Sequence, residues 1–165
     1  MKKKLSVCAL LLLLLLTACG QSPTLQETIP TLSLTADGGR AAPVSAYGYS
    51  WQSRREAVAV DVAHPLQVTE TLPGVSVPAG TSIGLSFSRL PDRVTITCWP
   101  ESAAQTPSPA QGWPGQEVES TFVNNLFTFT PPESQENLVF QVYGYWDSYE
   151  DVSGTVGYAF VVEQS

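Results

Sequence analysis

From Leu32 onward, apolar and polar residues alternate along the chain, and no helical period lasts longer than a turn. Residues 44–51, 57–62, 67–72, 82–88, 94–99, 126–130, 137–146 and 155–162 read as strands, and 32–35 as a further edge strand. Pro and Gly punctuate the gaps, at Pro73-Gly74, Pro78-Ala79-Gly80, Pro91-Asp92, Pro114-Gly115 and Pro131-Pro132. Many short strands separated by such turns predict an all-β domain, an antiparallel immunoglobulin-like β-sandwich over residues 32–165. At period two, Ile83/Leu85/Phe87, Val94/Ile96/Cys98, Leu138/Phe140/Val142 and Val156/Tyr158/Phe160/Val162 each share one strand face. Two sheets that face each other would bury these sets as a common core. Residues 101–118, rich in Pro, Gln and Ala, read as one long loop.

The first 18 residues follow a different pattern. Lys2, Lys3 and Lys4 precede an apolar run of 12 residues, Leu5 to Leu16, and then Thr17-Ala18-Cys19. As a helix this run would be about 18 Å long, against a bilayer core of about 30 Å, which is the length of a signal peptide rather than a permanent span. Small side chains before the cut let the backbone enter a peptidase cleft, and the Cys19 thiol can take a diacylglycerol as a thioether. Leu16-Thr17-Ala18-Cys19 resembles the lipobox of bacterial prolipoproteins. That resemblance implies cleavage before Cys19, lipidation of Cys19 (diacylglycerol, then a fatty acid such as palmitate on the freed amine) and an extracytoplasmic, membrane-anchored protein. Two or three acyl chains hold a protein stably, where one does so only marginally. Cys8 lies inside the apolar run without small residues before it and is no acceptor. Residues 19–31, polar and carrying two prolines, read as the lipidated cysteine and a flexible tether of about 20 Å.

Removing residues 1–18 changes the charge balance. It leaves 147 of 165 residues, and the eight basic residues become five, all arginine, against 15 acids, a net charge of −10. Such a chain cannot neutralise phosphates or release their counterions, so nucleic acid is excluded as a partner. Its overall charge does not favour an anionic bilayer either. Cys98 is then the one thiol not committed to lipid, so no disulfide forms within the mature chain, and Cys98 is expected to be a small buried hydrophobe.

Candidate chemistry is sparse. Gly80-x-Ser82-x-Gly84 matches the serine-hydrolase elbow in letters only. That motif needs a following helix and a downstream histidine, whereas Ser82 begins a strand and the single histidine, His64, lies upstream. His64 in Asp61-Val62-Ala63-His64-Pro65 is read as a structural hydrogen-bonding residue at a strand end. The acidic segment 147–151 holds Asp147, Glu150 and Asp151, a solvated hairpin loop in the plain reading and a partial calcium site in the bolder one. Glu117 and Glu119 share a face if their segment is extended and are the pair a glycosidase would use. No phosphate-cradling or dinucleotide motif occurs, and no cofactor or metal is expected. The aromatics concentrate at Tyr47/Tyr49/Trp51 and Tyr143/Tyr145, each set on one face of its strand. An exposed face of that kind stacks on sugar rings or apolar peptide side chains; a buried one packs the sheet. Trp113, in the Pro-rich loop, is the aromatic expected to be most exposed.

Tyr49-x-Trp51, Asp61-x-x-His64-Pro65, the Ile83-x-Leu85-x-Phe87 strand leading to Pro91, and Gly157-Tyr158-x-Phe160 together resemble the small, uncharacterised β-rich lipoproteins of Gram-positive bacteria. The resemblance implies a β domain on a lipid anchor and carries over no catalytic residues. The expectation is a lipid-anchored binding or accessory module of the cell envelope, without enzymatic activity. Its ligand would be a protein partner or an envelope glycan, met by a surface of Tyr47, Tyr49, Trp51 and Trp113. The alternative is a carboxylate-dependent glycan hydrolase.

Overall fold

The computed structural model describes residues 24–36, 39, 42–107, 112–147, 149 and 151–164. The expected signal segment, Cys19 and the first part of the expected tether lie outside the described residues. The domain is all-β, with two sheets that share one core. The smaller sheet holds β1 (Leu32–Ala36), β2 (Ala42–Val44), β6 (Ile83–Phe87), β9 (Thr121–Val123) and β10 (Leu126–Phe129), in the order β2-β1-β6-β10-β9. The larger holds β3 (Ala46–Ser53), β4 (Ala57–Val60), β7 (Arg93–Pro100), β8 (Gln116–Glu117), β11 (Leu138–Trp146) and β12 (Val152–Gln164), in the order β4-β3-β12-β11-β7-β8. All these pairings are antiparallel; β5 (Gly74–Val77) adds a parallel partner along the C-terminal part of β12.

The period-two faces do what hydrophobic burial requires of them. Leu32, Leu34, Ile83, Leu85 and Phe129 of the smaller sheet meet Ile96, Cys98, Leu138, Phe140, Val142, Val156, Tyr158, Phe160 and Val162 of the larger in one cluster. Phe140 and Phe160, paired across β11 and β12, stack with ring centroids 5.5 Å apart. Cys98 is buried there, and burial pushes its thiol up to about 11, so it stays protonated and unreactive as a core residue should. Residues 24–31 also pack on this core. Leu25 is buried, and the Tyr158 hydroxyl donates to the Pro30 carbonyl at 2.7 Å.

Several local expectations need correction. The run 44–51 is not one strand: Val44 pairs with Leu32 in the smaller sheet, and from Ala46 the chain pairs with β12 in the larger. β1 lies between β2 and β6, not at an edge. Residues 67–72 are not a strand but two 3-10 turns, Pro65–Gln67 and Thr69–Thr71. There the Thr69 hydroxyl donates to the Pro65 and Leu66 carbonyls and the Thr71 hydroxyl to that of Val68, local bonds that compete with a ladder. The 101–118 segment is not wholly loop, for it holds the 3-10 turn Glu101–Gln105 and β8.

Candidate functional site

The outer face of the larger sheet, turned away from the core, carries the aromatic and polar residues that the core does not absorb. Its lower part is capped. Trp99, Val139 and Val161 are covered by Leu66 and Leu72 from the 3-10 segment and by Ala103 and Trp113 from the loop after β7. His64 lies against both indoles, with ring centroids 4.7 Å from Trp99 and 4.9 Å from Trp113. Its Nδ1 accepts from the Leu66 N–H at 3.3 Å, while the Gln67 side chain accepts from the His64 N–H at 3.1 Å, a reciprocal cap on the turn that Pro65 begins. The structural hydrogen bond of His64 is thus this cap, and the Asp61 carboxylate accepts from the Val62 N–H at 3.1 Å.

Burial lowers the His64 pKa below its usual 6.5, so the neutral ring that caps the turn is the native form. The unfolded chain therefore takes up this proton at a higher pH than the folded one. Stability from this group is complete above about pH 6.5 and is lost as the pH falls through the depressed value. The melting temperature should fall on acidification from pH 7.5 to 5.5. His64→Asn, which keeps an acceptor for the cap but does not titrate, should flatten that slope even if it lowers the melting temperature throughout.

Above this cap the outer face is open. Register places Gly48, Gly157, Tyr143 and Thr95 in one row across β3, β12, β11 and β7, with Ser50, Thr155, Tyr145 and Arg93 in the next. Two adjacent positions without side chains let neighbouring groups lie low on the sheet: a Cβ on Gly157 would come 2.8 Å from the Tyr143 ring, and one on Gly48 2.9 Å from the Val62 side chain. Segment 59–65 forms the wall on the β4 side. The result is a groove of about 530 Å³ lined by Ser50, Asp61, His64, Gln141, Tyr143 and Thr155 among others. Gln141 Nε2 donates to the Tyr143 hydroxyl at 3.0 Å, and the Arg93 guanidinium lies 3.6 Å from the Tyr145 ring centroid. Burial raises the Tyr143 pKa, with Tyr145 and Asp61 adding to it, so the phenol stays neutral. Asp61 is the one formally charged side chain lining the groove.

The expected aromatic surface is divided by a bulge. β3 pairs with β12 through Gly48↔Gly157 and then Ala46↔Tyr158, which leaves Tyr47 as an extra residue and reverses the face it occupies. Tyr47 turns outward, and its hydroxyl donates to the Ala63 carbonyl. Tyr49 packs against the core, its hydroxyl accepting from Gln26 at 3.3 Å. Trp51 is fully buried at 0% exposure, its Nε1 donating to the Thr28 hydroxyl at 3.0 Å. Trp51 is thus no ligand surface. Trp113 is half-buried, not the most exposed aromatic; its carbonyl accepts from Trp99 Nε1 at 3.1 Å and its own Nε1 donates to Thr106 at 3.3 Å. Tyr143 and Tyr145 do share the outer face. Sequence reasoning paired them but left Gln141, Thr155 and Ser50 out, although period two from Tyr143 reaches Gln141.

The other candidates are scattered. Ser82 is tied to Thr130 through their hydroxyls at 2.9 Å, and a strand follows it. Glu117 and Glu119 are both exposed, in a polar recess of about 400 Å³ with Ser82, Thr121, Thr128 and Thr130. Glu150 lies outside the described residues, and among those described no three His, Cys, Asp or Glu side chains converge as metal ligands. Compared with known protein families, with characterised proteins and with solved structures, the chain matches none.

Proposed function

We propose that this protein is a lipid-anchored extracytoplasmic binding or accessory module, held by acylated Cys19, whose ligand lies in the outer-face groove beside Tyr143. The observation that carries this reading is the groove itself: a tyrosine ring lying over Gly157 beside segment 59–65, with amide and hydroxyl groups around it. A sugar or an extended peptide meets such a site with a flat apolar face and several hydrogen bonds. One carboxylate, a neutral imidazole and no cationic side chain among the lining residues favour an uncharged or cationic ligand, and a neutral envelope glycan fits this chemistry best. We read the two-sheet domain as immunoglobulin-like, with a packed aromatic core in place of an inter-sheet disulfide.

The test incubates residues 20–165 with isolated peptidoglycan and wall polysaccharide and scores co-sedimentation and released reducing ends together. Binding without release is expected, and Tyr143→Ala should weaken it about tenfold, the scale of one stacked ring. Absence of binding to either material would remove the glycan from the proposal and favour a protein ligand.

The hydrolase reading rests on the recess that brings Glu117 and Glu119 together. It needs one acid held protonated, usually by burial, and both side chains are exposed. Glu117→Gln and Glu119→Gln are expected to leave glycan binding unchanged. Sugar release by the native protein that either substitution abolishes would establish the enzyme instead.

A further inference from the structure

Charge is unevenly distributed over the described residues. The turn between β3 and β4, the connections β6–β7 and β11–β12, and the β9–β10 turn all lie at one end of the sandwich, as the registers Ser53↔Val152, Arg93↔Tyr145 and Phe127↔Leu85 require. Every described arginine sits there: Arg54, Arg55, Arg89 and Arg93. They stand against Glu56, Asp92, Asp147 and Asp151, of which Asp151 lies 3.9 Å from Arg89 and Asp92 accepts from the Asp147 N–H. The far end holds Glu70, Glu101, Glu133, Glu136 and Glu163 with no described cation.

The arginine end also carries an apolar tip. Asn124 and Asn125, at φ 53° and 63°, form the tight turn between β9 and β10. Beside it Phe122 is 48% and Val123 61% exposed, the two most exposed large apolar side chains among the described residues; Val60 and Val62, beside the groove, follow at 42% and 38%. The incoming chain is fastened here too, since Thr31 and Ser88 exchange hydrogen bonds at 2.9 Å. Thr24, where the described chain begins, is five residues from Cys19, at most about 17 Å of extended backbone.

We propose that this end is a docking surface for the anionic bilayer to which the chain is anchored, with Phe122 and Val123 entering the headgroup layer. The choice of a bilayer as occupant rests on the anchor reading, because a leash this short keeps the domain against its membrane. Lipid headgroups repel the glutamate end, whereas at the other end four arginines offset Glu56, Asp92, Asp147 and Asp151 and the exposed Arg54 and Arg55 remain for the headgroups, within the reach of the surface potential. The groove then faces sideways, along the membrane surface.

Vesicle flotation of residues 20–165, which contain every described core side chain, tests this with phosphatidylcholine alone and with equal parts of phosphatidylglycerol and phosphatidylcholine. Binding to the mixed vesicles is expected. Phe122→Ser with Val123→Ser, and separately Arg54→Glu with Arg55→Glu, should each weaken it about tenfold. The arginine pair is exposed and should leave the melting temperature in place, whereas the first pair also gives up the Phe122–Phe127 ring contact at 4.5 Å and is compared well below its own melting temperature. No binding, or binding that both double variants retain, would overturn the proposal. So would self-association abolished by the Phe122/Val123 variant, which would make a second copy the occupant. Mass spectrometry of the full chain made in bacteria separates the two readings: acylated Cys19 with negative flotation sinks this inference alone, and bare Cys19 with positive flotation sinks only the anchor.

Discussion

Gly154→Ala is expected to cost roughly 3–5 kcal/mol, enough to leave little of the 5–15 kcal/mol that a domain of this size typically has. Gly154 lies between Trp51 and Trp146 in the register of β3, β12 and β11. The two indoles meet edge to face over it, with centroids 5.6 Å apart and planes at 84°. Its φ is +150°, and an added Cβ would come within 2.1 Å of the Ser50 carbonyl oxygen and 2.9 Å of the Trp51 ring. The backbone conformation alone costs a side-chain-bearing residue about 1–3 kcal/mol. The clash is with main chain, which cannot move aside without opening the β3–β12 ladder. Urea denaturation measures the effect as a lowered midpoint. A loss below about 1 kcal/mol would show that the strand pair does not depend on this gap.

Trp51→Ala is expected to lose about 3–5 kcal/mol, the usual range for emptying a fully buried indole site. It removes the edge-to-face partner of Trp146 and the donor to Thr28, which helps to hold residues 24–31 on the domain. Trp113→Ala should cost less, about 1–2 kcal/mol, because Trp113 is half-buried at the rim of the smaller cluster. A Trp51 that formed a ligand surface would give the opposite order, with little effect on stability. Thermal and urea melts of the two variants side by side decide it.

The strands that bury one face were legible because their alternation is long and clean. β11 alternates Leu138, Phe140 and Val142 inward with Gln141 and Tyr143 outward, and nothing local competes. Legibility failed where a single residue changes the phase. The bulge at Tyr47 has no signature of its own, yet it sends Tyr47 to one face and Trp51 to the other, so the aromatic set read as a surface was mostly core. It failed again at residues 67–72, where Val68, Glu70 and Leu72 mimic a strand but Pro65 and the threonine hydroxyls favour turns. β5 escaped notice because it is four residues long and pairs in parallel with a strand far along the chain. Of the site, Tyr143 was visible as one of an aromatic pair. The groove was not, since it depends on Gly48 lying opposite Gly157 and on segment 59–65 folding back beside them.

Nuclear magnetic resonance titration of residues 20–165 with soluble, uncharged oligosaccharides released from the envelope polysaccharide tests the central claim most directly. The groove reading predicts amide shifts concentrated at residues 48–50, 61–64, 141–145 and 155–157, saturating together and absent in Tyr143→Ala. Shifts gathered around Glu117 and Glu119, or around Trp113 with the groove unmoved, would contradict it.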